Sequence, residues 1–194
     1  MTRVKLIALV VWVCLAGPAW AADPLEYTRA TLEQARAIVG SDQTHNDKLA
    51  ALSSLFRNFL DTDAMGRAAL GKHWSSFTLQ QQKEFLVLFR QLFQRTYVQE
   101  LLLFEKPNFV YVGQTRLDGE ATVDTKIVTP RDDFKVVYQL RPDGERWLVT
   151  GITVEDVSLT ANLGSQLDHL LSRESVEDVL NLMQRKYGSN GGGA

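Results

Sequence analysis

The chain has 194 residues, 45% of them hydrophobic and 23% charged, which are the proportions of one ordinary globular domain and exclude a disordered or fibrous chain. Its formal net charge is only −2, and no basic patch interleaved with aromatics occurs. Nucleic acid is therefore not an expected partner, and strong attraction to anionic membrane surfaces is not expected either.

The N-terminus departs from that average. Arg3 and Lys5 precede an apolar run from Leu6 to Ala16, Gly17-Pro18 breaks it, and Ala19-Trp20-Ala21 offers a small-x-small cleavage pattern. This is the order of a secretory signal peptide over residues 1–22, cut after Ala21 or Ala22. The run is too short to span a bilayer, which takes roughly 20 apolar residues. Cys14, the single cysteine, lies inside this leader, and the bulky Trp12-Val13 before it do not fit a lipoprotein signal. Removing the leader leaves 19 basic against 23 acidic residues, a formal net of −4, and no cysteine. Export without disulfides suits a bacterial periplasm. A domain of this length buries roughly 70% of its unfolded surface and can do without them.

Residues 23–187 read as a single domain with a helical half, a strand half and a helical tail. Leu25 to Val39 is amphipathic, with Leu32, Ala35, Ile38 and Val39 on one stripe and Gly40 as a stop. After a polar break over 41–45, Leu49, Leu52, Leu55, Phe56, Phe59 and Leu60 recur at helical spacing. Asp61 and Asp63 are cap candidates for a short helix ending at Gly71. Thr78, with Gln81 three residues on, opens the longest helix, which runs to about Phe104 before Pro107. Its apolar residues cover well over half the circumference, so it is either central to the domain or beside a cavity.

From Asn108 the period switches to two. Phe109, Tyr111 and Gly113 alternate with Val110 and Val112, and Ala121, Val123, Thr125 and Ile127 alternate with Thr122, Asp124, Lys126 and Val128. Phe134, Val136, Tyr138 and Leu140 form a third set, and Trp147, Val149 and Gly151 a fourth. Short connectors such as Leu117-Asp118-Gly119 and Pro142-Asp143-Gly144 imply antiparallel succession. The expected fold is α+β, with helices on one face of a curved antiparallel four-stranded sheet in the manner of nuclear-transport-factor-like folds. A helical period returns with Leu163, Leu167, Leu170 and Leu171, and again from Ser175 to Tyr187. Residues 188–194 are Gly-rich and expected to be disordered.

Catalytic signals are weak. His45 sits in a polar loop, His73 beside Trp74, and His169 next to Asp168 on a helix, where adjacent residues point about 100° apart and form no dyad. There is no G-x-S-x-G elbow, no H-E-x-x-H and no calcium-loop pattern, so neither catalysis nor a metal or other cofactor is expected. Asp132-Asp133 and Glu155-Asp156 lie at element ends, where solvated charge is usual. Asp124 sits mid-strand between Thr122 and Lys126, which places it on the solvent face.

A more specific signal begins at Phe59. The stretch Phe59-Leu-Asp-Thr-Asp-Ala-Met-Gly-Arg-Ala-Ala-Leu-Gly-Lys-His-Trp74, then Thr78 to Phe85, then Phe89, Phe93 and Thr96-Tyr97, resembles the MlaC (toluene-tolerance) family. So does Trp147-Leu-Val-Thr-Gly-Ile-Thr-Val-Glu-Asp-Val-Ser-Leu159, followed by Asn162 and Gln166-Leu167. The resemblance implies a periplasmic, non-enzymatic carrier that holds phospholipid acyl chains between sheet and helices. It further implies exchange with an inner-membrane ABC transporter complex bearing a lipid-binding substrate domain, and with an outer-membrane lipoprotein complex. A sister branch, HpnM, implies a hopanoid ligand instead, and a nuclear-transport-factor-like module for a small ligand or an enzymatic reaction stays open. The sequence departs from the family in Leu163-Gly164, where an aromatic and an Arg often follow the Asn, and in Asp156, where Gly is usual.

Under this reading the apolar sheet face and the long helix line a lipid pocket. The helix contributes Phe85, Phe89, Phe93, Tyr97 and Leu101. Phe109, Tyr111, Val123, Phe134 and Val136 come from the sheet, with Tyr138 and Trp147. The small residues Gly113, Ala121 and Gly151 are expected to leave narrow grooves that suit extended acyl chains better than a fused-ring ligand.

Overall fold

The computed structural model describes residues 22–103 and 107–188. The expected leader, Ala22 excepted, and the Gly-rich tail after Gly188 lie outside the described residues, as does the expected helix end at Phe104. Six helices and a five-stranded sheet follow in the order α1 (Pro24–Val39), α2 (His45–Arg57), α3 (Thr62–Leu70), α4 (Leu79–Phe93), β1 (Asn108–Leu117), β2 (Glu120–Val128), β3 (Asp133–Asp143), β4 (Arg146–Val154), β5 (Val157–Ser158), α5 (Leu159–Leu171) and α6 (Val176–Tyr187). The sheet is an antiparallel meander in sequence order.

Helix starts follow local hydrogen-bond chemistry. The Asp23 carboxylate accepts from the N–H groups of Leu25 and Glu26, and Pro24 fills a first-turn position where no donor is needed. Gln114 also donates to Asp23, at 2.7 Å, and Arg116 pairs with it, so the cap doubles as a tie between α1 and β1. The Gln114 hydrogen bond is the main reason the Asp23 carboxyl lies below the usual carboxylate range. Thr78 and Gln81 form the reciprocal capping box the sequence predicts. The long helix differs from expectation in its second half. Regular α-helix stops at Phe93, a wider π turn spans Gln94–Val98, and a tight 3₁₀ turn spans Gln99–Leu103.

Two β-bulges decide which side chains reach the helices. Tyr111 pairs with Thr125 and Gly113 with Asp124, so Val112 is an extra residue in β1. Gln139 pairs with Gly151 and Leu140 with Val149, so Thr150 is extra in β4. The expectation that Gly113 and Gly151 lie on the inner face is therefore corrected. Each shares a register row with an outer-face residue, and Ile152 and Val154 take the inner places instead, opposite Tyr138 and Val136. Asp124 is on the outer face, as expected.

The expected four-stranded sheet gains a fifth strand at the turn through Glu155 and Asp156. Glu155 and Asp156 adopt φ of 47° and 62°, which folds Val157 back onto Val154. Left-handed backbone strains an ordinary side chain, which accounts for a preference for Gly at position 156. The Lys135–Asp156 ion pair is exposed and contributes little. Asp156→Gly is expected to raise stability by about 0.5 kcal/mol, read from a urea unfolding midpoint. A lowered midpoint would contradict this account of the turn.

Gly164 has a packing reason. A Cβ built there would lie 2.9 Å from the backbone carbonyl oxygen of Ala69, so α5 rests directly on α3. An Arg at this place has no room, which explains the departure from the family pattern. Alanine favours a helix interior over glycine by about 1 kcal/mol. Gly164→Ala is nonetheless expected to destabilise by about 1–2 kcal/mol, because a backbone atom must shift. Thermal unfolding of the variant checks the sign.

Candidate functional site

An aromatic ladder runs down α4 and into the π turn. Phe77, Phe85, Phe89, Phe93 and Tyr97 follow one another with ring centroids 4.8–6.3 Å apart. Its upper rungs belong to solid core. Phe85 and Phe89 are fully buried, and Phe89 packs where α3 presents Gly66. Its lower rungs belong to a cavity of about 420 Å³. There Phe93, Tyr97, Val98 and Leu101 face the sheet residues Phe109, Ile127, Phe134, Val136 and Tyr138, with Ile152 and Val154 beyond the β4 bulge. Leu32 of α1, Phe56 of α2, Phe59, Leu60 and Leu159 close the sides.

Of the seventeen residues on this wall, only Glu100 carries a charge, and it is exposed at the rim. Tyr138 is buried and the pKa of its hydroxyl is pushed well up by burial, opposed by a hydrogen bond with Thr125. Tyr97 is raised too, first by burial and then by the neighbouring Glu100. Both phenols stay neutral at ordinary pH. The buried Thr125 hydroxyl of the inner face is satisfied by donating to the Val136 carbonyl at 3.0 Å. The cavity thus offers apolar surface and almost no directed polarity. It can hold a hydrocarbon and has little with which to activate one.

The structure brings seven of the twelve sequence-predicted residues onto this wall, namely Phe93, Tyr97, Leu101, Phe109, Phe134, Val136 and Tyr138. Phe85, Phe89, Val123, Trp147 and Tyr111 stand off it. Val123 is completely buried on β2, one of the strands that α1 packs against. The Trp147 indole N–H donates to the Ala22 carbonyl, holding the start of the described chain on the sheet. Tyr111 sits under the Arg29 guanidinium and donates to Glu33, pinning β1 to α1; burial, then Glu33, pushes its pKa up. Sequence reasoning missed Ile152 and Val154 as wall residues because nothing but the glycine beside Thr150 hints at the bulge.

The histidines lie away from the cavity wall. His73 meets Asp168 across 95 positions of sequence, with 2.7 Å between Nε2 and Oδ1. Lys72 reaches the same oxygen at 2.8 Å, so Lys72 and then His73 hold the Asp168 carboxyl below its usual range. This cluster fastens α5 to the turn after α3. Among the described residues no group of three or more His, Cys, Asp or Glu side chains is placed to hold a metal ion, and no helix is long and apolar enough to cross a membrane.

Comparison with known proteins agrees with this geometry. No curated protein matches the chain. A phospholipid-binding protein from Ralstonia solanacearum, solved in complex with a phospholipid, matches with a TM-score of 0.74 at 18% identity, covering 88% of this chain and 99% of that one. At that identity the likeness speaks for the fold. The family model described as MlaC protein matches residues 27–185, essentially everything from the first turn of α1 to the last turn of α6, and the chain therefore belongs to the MlaC family.

Proposed function

We propose that this protein is a periplasmic carrier of phospholipid, with the acyl chains held in the cavity between the sheet and the Phe93–Leu101 segment. The observation that carries this reading is a 420 Å³ hollow with a single charged residue among the seventeen on its wall. A water-sized group takes about 30 Å³, so the space holds at least about a dozen methylene-sized groups, the scale of one acyl chain. Burying each methylene is worth about 0.8 kcal/mol, so a chain gains roughly 10 kcal/mol before costs. Such a ligand does not leave into water on a useful timescale. It leaves only to a docked acceptor that offers equivalent apolar surface. The acceptors proposed from the family are an inner-membrane ABC transporter complex with its lipid-binding substrate domain and an outer-membrane lipoprotein complex.

Export is proposed from the residue 1–22 pattern. Cleavage after Ala21 is favoured over Ala22, because the Trp147 indole uses the Ala22 carbonyl. Intact mass of periplasmic protein decides between the two.

The ligand class is tested by extracting purified protein with organic solvent and identifying what comes off by mass spectrometry. Two-chain phospholipid is the expected result. Hopanoid alone would move the chain to the sister branch, and no apolar ligand at all would overturn the carrier reading. The groove argument for phospholipid loses Gly113 and Gly151, which face outward. What supports phospholipid instead is a deep wall of Phe and Leu side chains that repack around chains of mixed length.

A further inference from the structure

The cavity ends along one row of the sheet. The inner face of β3 carries Phe134, Val136, Tyr138 and Leu140 in succession, and the first three line the hollow while Leu140 does not. Leu140 pairs with Ala121 on one side and Val149 on the other, and that whole row is buried and off the wall. Toward the other end of the wall Phe134 and Leu159 are half-buried and Glu100 is exposed. The hollow thus has its mouth near Glu100 and a blind end at the Tyr138 row.

Phe59 makes that blind end a fixed one. It is buried on the cavity wall, and its ring packs against those of Tyr27, Phe56 and Tyr138 with centroids 6.2–6.4 Å apart. Its carbonyl accepts from the Val149 N–H at 2.8 Å, and Leu60 bridges to Val149 as well, so the backbone beneath the ring is tied to β4. A phenyl ring turns about only two torsions, and here three neighbouring rings hem it in. The side walls can repack around a chain, but this end cannot. Every methylene short of the ring gains from burial, whereas one pushed past it must overpack the solid row behind.

We propose that Phe59, backed by Tyr138, is a stop that sets the longest acyl chain this protein carries. Shorter chains are held by repacking of the side walls, and longer ones are rejected. The proposal rests on the phospholipid-carrier reading and adds to it a residue that selects among lipids of one headgroup. Replacing Phe59 by Ala removes the ring and opens onto the hollow the room of about four methylenes, and Val in its place opens about two. Shortening Leu140 instead leaves a void behind Tyr138 that does not join the hollow.

The test offers delipidated protein vesicles that mix, in equal amounts, phosphatidylglycerols differing only in acyl-chain length. The chain lengths of the lipid taken up are read by mass spectrometry. Wild-type protein is expected to accept a range of lengths with a sharp cutoff on the long side. That cutoff is expected to rise by about four carbons in Phe59→Ala and by about two in Phe59→Val, while Leu140→Ala keeps the wild-type profile. Phe59→Val carries the test if the alanine variant does not fold, and a thermal melt with each lipid shows which length stabilises it most. A wild-type profile without a long-side cutoff, an unshifted cutoff in folded Phe59→Val, or an equal shift in Leu140→Ala overturns the stop and leaves the carrier standing. If the wild-type protein takes up no lipid of any length, the carrier reading and the stop fall together.

Discussion

Val136→Trp is expected to cut lipid uptake at least tenfold while the protein unfolds at nearly the wild-type temperature. Val136, on β3 opposite Val154 and on the same face as Phe134 and Tyr138, is buried but lines the cavity, which Val123 does not. An indole there fills space that is otherwise hydrocarbon-sized, so it competes with the ligand and meets little resistance from packed atoms. Val123→Trp is the control. Val123 lies on the same sheet face, one strand over and with no exposed surface, where neighbours touch it on all sides. The same enlargement must there force side chains off rotamer, at a cost of about 1–3 kcal/mol or more, with lipid binding kept by whatever fraction stays folded. Fluorescent-lipid binding and a thermal melt on both variants separate the cases. A Val136→Trp protein that melts early and still binds lipid would show that the hollow is ordinary core.

The contrast between these two valines marks how far the sequence reaches. Alternation identified the inner face of β2 correctly, since Ala121, Val123, Thr125 and Ile127 are all buried. Caps were equally legible, because Thr78 with Gln81 and Asp61 before Thr62 satisfy donors within one helical turn. Which part of the inner face is solid and which is hollow depends on where helices lie over the sheet, and periodicity carries no information about that. An all-round apolar stretch from Phe85 to Leu103 gives the same pattern whether it touches core or cavity. The bulges did leave a trace. Gly113 and Gly151 each stand inside a strand pattern directly after the extra residue, and an interior strand glycine is a bulge signal. The family resemblance supplied what composition could not, that an apolar excess of this kind encloses a ligand.

Long-range polar ties were invisible in the sequence, and one of them holds a wall of the cavity. Asp61 caps α3 by accepting from the Ala64 N–H at 2.9 Å. Its other oxygen takes two hydrogen bonds from the Arg141 guanidinium on β3, at 2.9 Å and 2.6 Å. Its own N–H donates to Val149 at 2.8 Å, and the Val149 N–H returns to Phe59 at 2.8 Å. The segment carrying Phe59 and Leu60 is thus stitched to β4 by backbone and to β3 by one carboxylate whose side chain is only 14% exposed. Removing a cap costs about 0.5–2 kcal/mol. Losing the partner of Arg141, itself 39% exposed, adds about 1 kcal/mol after screening. Asp61→Ala is therefore expected to lower unfolding free energy by about 1.5–3 kcal/mol in urea, and Asp61→Asn, which keeps the cap and weakens the pair, by about 1 kcal/mol. Arg141→Ala in both backgrounds completes a double-mutant cycle, with a coupling near 1 kcal/mol expected for the pair. Equal losses in Asp61→Ala and Asp61→Asn would mean that the cap contributes nothing and the ion pair everything. An unchanged Asp61→Ala protein would mean that the backbone pairing of Leu60 and Asp61 with Val149 holds this wall without help from the side chain.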